Sequence, residues 1–186
     1  MDRRKSLGLI GFGSILMAQN AFPSVATIAG DNNFEKNFMS AFLKRWEGMR
    51  MHTFEVFEAM PDSQFGFQPT KEVKSFAKLC SHIGLSLDIY AEMIDGTPRE
   101  EQIESVEKSV VLTTLQNQFE RFENTMNSLN PDDVFTRIHK LDTRDGDIDF
   151  YDYDILMLAY NHSVHHKGQA TTYLRLKEIA PPQYRF

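Results

Sequence analysis

A single cysteine, Cys80, stands in a chain of 186 residues. An intramolecular disulfide is therefore excluded, and so is a cysteine-rich zinc site. Positive charge is also in short supply. Twenty Lys and Arg against 26 Asp and Glu leave a formal net charge of −6. No basic patch interleaved with aromatics offsets that balance, which argues against nucleic acid as a partner. The apolar stretch from Leu7 to Ala18 falls short of the ~20 residues a membrane-spanning helix needs. Internal repeats and low-complexity tracts are absent. No Ser-His-Asp or Cys-His arrangement is readable, and Cys80 sits on an apolar stripe, where a thiol is buried and inert.

What is present suits one helical domain. The length permits a sizeable core but not two full domains. Fifteen Phe and nine Met supply large, adaptable side chains for helix packing. Residues 1–30 read differently from the rest. Arg3, Arg4 and Lys5 precede the apolar stretch, and Ser24-Val25-Ala26 offers a small-x-small cleavage site. That three-part pattern predicts a cleavable signal peptide over 1–30, a mature domain over 31–186, and an exported or periplasmic protein. Arg3-Arg4 followed by Leu7 is also similar to a twin-arginine signal, with Ser6 in place of the usual aromatic. No Cys follows the apolar stretch, so lipoprotein anchoring is excluded. The alternatives are an uncleaved anchor and a cytoplasmic location.

Four apolar stripes occupy the rest of the chain, at three- and four-residue steps. Met39, Phe42, Trp46, Met49, Val56, Phe57 and Met60 predict a first helix from Asp31 to Met60, stopped by Pro61. A second is expected to begin at Pro69-Thr70 and run to Ile94, where Asp95-Gly96-Thr97-Pro98 stops it. Leu112, Leu115, Phe119, Phe122 and Met126 mark a third, from Val110 to Leu129. Residues 131–152 are the least regular, with a turn at Thr143 to Asp147. Asp145, Asp147 and Asp149 invite a calcium-loop reading. An EF-hand needs Gly at position 6 and Glu at position 12. Here Gly146 is second and Leu156 twelfth, so a solvated acidic turn is expected instead. A fourth helix spans Tyr153 to Ile179, with Ile155, Leu158, Ala159, His162, His166, Ala170 and Tyr173 on one face.

The six histidines are His52, His82, His139, His162, His165 and His166. Residues four apart on a helix share a face, so His162 and His166 can chelate one divalent ion. His165 also lies within reach of His162. By 100° per residue, His166 falls ~40° from His162 along the apolar stripe and His165 ~60° to the other side, which favours His166. His82, mid-way along the second helix, is the third candidate ligand; facing helices are a standard frame for such a site. All-imidazole ligation suits Zn, Ni, Cu or Fe(II), and three protein ligands leave a position open. A lone core histidine is more often a satisfied polar group than a ligand; His52, near the polar edge of the first helix, and His139, in the irregular segment, are assigned no role.

Three segments together resemble the DinB/YfiT-like superfamily, which includes thiol S-transferases. They are Ala59-Met60-Pro61 through Thr70, Ser75-Phe76-Ala77-Lys78-Leu79-Cys80-Ser81-His82-Ile83, and Asn161-His162-Ser163-Val164-His165-His166-Lys167-Gly168-Gln169 through Arg175. Lys167 stands where Arg is common. The resemblance implies an all-α four-helix bundle with a crossover connection, often a homodimer, with a three-His site for Zn or Ni formed by His82, His162 and His166. The residues after Gly96 are long enough for that crossover. The resemblance also implies a low-molecular-weight thiol as a partner. Gln169 can hydrogen-bond substrate or a ligand's second nitrogen, and Tyr173 can line the cavity; core packing accounts for both as well. Three classes stay open: a metal-dependent transferase or hydrolase that activates a thiol or water, a non-catalytic metal-stabilised binding protein, and a metal-free interaction bundle.

Overall fold

The four stripes form four helices: α1 (Asn33–Glu58), α2 (Phe76–Asp95), α3 (Lys108–Asn127) and α4 (Asp152–Leu176). The computed structural model describes residues 33–99, 105–143 and 146–184, with the backbone alone at 33, 141–143 and 146–147. The chain divides into two units, Met1–Asp31 and Asn32–Phe186. The expected signal peptide lies outside the described residues, and all four helices belong to the second unit. No described helix is long and apolar enough to cross a membrane.

Side-chain pairs fix the direction of each helix. Asp88 meets Gln118 at 2.7 Å and Asp95 meets Thr125 at 2.7 Å, so α2 and α3 run parallel. Phe76 packs on Tyr173 and Tyr90 on His162, so α2 and α4 run antiparallel. Phe38 with Tyr153 and Phe42 with Tyr160 make α1 and α4 parallel. Trp46 with Glu123, and Lys108 with the Glu58 carbonyl, make α1 and α3 antiparallel. The order is up-down-down-up. Parallel α2 and α3 require a crossover, made by residues 96–107. At about 3.3 Å per residue that stretch can return the length of a 20-residue helix, about 30 Å. Gly96 opens it in the left-handed conformation, φ 72°, which glycine adopts without strain.

The core lies along the bundle axis. Trp46, Phe57, Phe76, Phe119 and Phe122 are at most 2% exposed, and each such side chain contributes about 1.5–3 kcal/mol by leaving water. The Trp46 indole N–H donates to Glu123 at 2.9 Å. Cys80 is wholly buried, and burial pushes its thiol far up. Two helices approach closely at Gly84 of α2, where a Cβ would fall on the Gln118 side chain and within 3.3 Å of Leu115.

The structure corrects several expectations. The second helix starts at Phe76, not at Pro69-Thr70. Ser75 Oγ accepts the Lys78 N–H at 3.2 Å. The carbonyls of Phe67 and Phe65 accept the N–H groups of Phe76 and Ala77 at 2.8 and 3.0 Å, so the preceding loop folds back to cap the helix. The irregular stretch holds an antiparallel hairpin, β1 (Ile138–Thr143) and β2 (Gly146–Tyr151). Asp152, 1% exposed, ties that hairpin to the start of α4. It accepts from Arg137 at 2.8 and 2.9 Å and from His139 at 2.6 Å. His139 thus has a structural role. Leu158, expected on the buried face of α4, is 38% exposed. His52, expected at a polar edge, is buried with its ring against Tyr184 at 5.7 Å.

Candidate metal centre

Antiparallel packing of α2 on α4 brings His82 opposite His162 and His166. Ring centroids are 4.9 Å apart for His82–His162, 4.6 Å for His82–His166 and 4.5 Å for His162–His166. One ring nitrogen from each lies within 4.8 Å of the others, and the Nε2 atoms of His162 and His166 are 3.2 Å apart. At Zn–N lengths of about 2.0–2.1 Å, two nitrogens on one tetrahedral ion sit about 3.3 Å apart. The α4 pair already has that spacing.

The supporting contacts favour a bare nitrogen facing the centre. His166 Nδ1 lies 2.8 Å from Gln169 Oε1. With that amide oxygen accepting the Nδ1 proton, His166 Nε2 keeps its lone pair. The other end of the Gln169 amide lies 3.2 Å from His165 Nε2, which suits an amide N–H donor. His165 is exposed and stands outside the three-His group. His162 Nδ1 is buried with no hydrogen-bond partner. Three imidazoles without a carboxylate fit a borderline ion, and no fourth His, Cys, Asp or Glu joins them among the described residues.

Residues 31–185 match the DinB family. The chain belongs to the DinB family. Two solved structures share its fold. A DinB-like protein from Bacillus subtilis, YjoA, superposes with a TM-score of 0.65 at 20% identity, covering 78% of this chain and 98% of that one. A DinB-like protein from Bacillus cereus ATCC 10987 gives 0.67 at 17% identity, covering 77% and 95%. No curated protein matches the sequence.

In this DinB-family chain all three rings are held neutral, with lone pairs available to a metal. Burial, then the charges of Lys74 and His166, bring His82 down to about 4. Burial, then the neighbouring histidines and Lys74, bring His162 down to about 4. Burial lowers His166 as well, against the opposing pull of its Gln169 hydrogen bond.

Three other residues bear on the site. Tyr173 lies two turns beyond His166, its hydroxyl donating to the Lys74 carbonyl at 2.9 Å and its ring against Phe67 and Phe76. That position packs the seam between α2 and α4. Tyr90 and Lys74 were not singled out from sequence. Tyr90 places its ring edge 6.2 Å from His162 and is readable in hindsight as two turns past His82. Lys74 precedes α2 in an irregular segment and carries no periodic signal. A cleft of about 530 Å³ lies elsewhere, at the far end of α2 and α3. Its Arg121 is bound by Asp88 and the Thr97 carbonyl, and its Asp95 by Thr125.

Proposed function

We propose that His82, His162 and His166 bind one divalent ion, Zn or Ni, and that this protein is a metal-dependent enzyme of the transferase or hydrolase type. The observation that carries this reading is a three-imidazole cluster with no fourth protein ligand among the described residues and with His82 and His162 partly exposed. A purely structural ion would be closed by four protein ligands. A bound ion supplies Lewis acidity, lowering the pKa of a thiol or water at its remaining position. The chain's own residues set the geometry. Gln169 fixes the His166 tautomer and holds the ring through its Nδ1 side. Tyr173 and Phe76 fill the seam above the site, and Tyr90 flanks it from the other side. A small molecule reaching the partly exposed edges of His82 and His162 would meet the ring of Tyr90, itself partly exposed. Export belongs to the same reading, supported by the leader pattern. So do a low-molecular-weight thiol co-substrate and a homodimer, both supported by the family resemblance.

Elemental analysis of protein purified without affinity-tag metals tests the ligand set. About one Zn or Ni per chain is expected, with strong loss in His82→Ala, His162→Ala and His166→Ala. Full metal content in all three variants contradicts the assignment. A thiol-transfer assay with a model electrophile then separates an enzyme from a metal-stabilised binding protein.

A further inference from the structure

Lys74 is exposed, and its ammonium forms no ion pair or hydrogen bond among the described residues. Three lysines of the bundle, Lys108, Lys167 and Lys177, differ. Lys108 Nζ sits on the Glu58 and Met60 carbonyls at 2.9 and 2.8 Å. Lys167 and Lys177 lie over the rings of Tyr184 and Phe67. Lys74 is free at its tip but pinned at its backbone. Its carbonyl accepts the Tyr173 hydroxyl at 2.9 Å, and the adjacent Val73 carbonyl accepts from Gln68 at 2.7 Å. Tyr173 stands two turns beyond His166, about 10 Å along α4, and helical side chains lean back toward the N-terminus. The lysine stem therefore starts at the rim of the histidine cluster, with four methylenes of reach.

Among the described residues, the charges that act on the three rings are all positive in sign. Behind the larger effect of burial, the Lys74 charge also opposes protonation of each of His82, His162 and His166. No Asp or Glu belongs to the group, and the hydrogen bonds of the three rings run to a glutamine and to one another. An unpaired cation beside a site already suited to a divalent ion leaves positive charge without a counterpart. A group of opposite sign, brought by the ligand, would supply it.

We propose that Lys74 is a substrate-positioning residue that pairs with an anionic group carried by the small-molecule ligand, away from the atom presented to the three histidines. The site then selects organic anions over neutral molecules of the same shape. This role rests on the metal-site reading.

The experiment uses cobalt(II)-loaded full-length protein, whose visible spectrum reports ligand binding at the ion. The probes are 4-mercaptobenzoate and 4-mercaptobenzamide. Both present a thiol, and the rigid ring keeps the para substituent from reaching the same ion. Wild type is expected to bind the benzoate roughly fivefold more tightly, the scale of one partly exposed ion pair. The preference should vanish in Lys74→Gln, persist in Lys74→Arg, and shrink in ~1 M salt. An equal preference in Lys74→Gln, or none in wild type, overturns the role of Lys74 while leaving the metal site standing. Failure to take up one equivalent of cobalt overturns the metal site, and the role of Lys74 with it.

Discussion

His166 is gripped by Gln169 on one nitrogen and turned toward His82 and His162 with the other. The neutrality of these rings has a consequence for stability. His82 and His162 titrate near about 4 in the folded chain, against 6.5 for a free imidazole. As pH falls, the unfolded chain takes up protons first. Metal-free protein should hold its full stability above pH 6.5 and lose it progressively down to about pH 4. Urea midpoints at pH 7, 6 and 5 check this. A His82→Gln/His162→Gln variant should show a flatter profile, and a midpoint that rises on acidification contradicts the account. Histidines on the helix face were legible because a period of 3.6 residues converts spacing into direction. His52 misled the same reasoning. A helical wheel sees only its own helix, whereas the ring of Tyr184, 132 positions on (184 − 52), lies against it. Lys74 had no wheel to be read from.

Elements end where tertiary partners allow. The sequence offered Pro69-Thr70 as a helix start. The chain waits until Phe76 because Phe65 and Phe67 supply carbonyls to its first N–H groups. No local pattern announces such a cap. The hairpin was hidden for a different reason: its strands, IHKLDT and GDIDFY, hold few apolar residues and are anchored mainly by the buried Asp152. The contact of α2 with α3 can be tested at Gly84. Alanine there gains about 1 kcal/mol of helix propensity. It also drives a methyl group into Gln118, which Asp88 holds at 2.7 Å, and overpacking costs about 1–3 kcal/mol. Gly84→Ala should therefore lower the urea midpoint without changing the m-value. Adding Gln118→Ala should recover part of the loss non-additively. A Gly84→Ala protein more stable than wild type contradicts this close approach.

Among the described residues the four helices do not pack in simple sequence order: α2 lies against α3 but also against α4, and α1 lies against α4. The apolar stripes announce the helices but not their arrangement, since a stripe records that a face is covered and not by which helix. The crossover was legible through the length of chain after Gly96 and the family resemblance, and its direction only through pairs such as Asp95 with Thr125. An ion shared by His82 and His162 would close a loop of 80 residues (162 − 82 = 80). The cross-link arithmetic gives about 4.5 kcal/mol for such a loop. In a chain of this size each kcal/mol moves Tm by about 2–4 °C. Chelation should therefore lower Tm by about 10 °C in calorimetry, and His82→Ala should remove the chelator's effect. A Tm indifferent to chelator contradicts the clasp.

The placing of the second and last helices side by side also sets an order of events during synthesis. A nascent chain cut short before residue 162 carries one imidazole of the three, with no counterpart to close upon. The three imidazoles can meet only when α4 has left the ribosome and settled against a partner made long before, so their convergence marks a chain synthesised through α4.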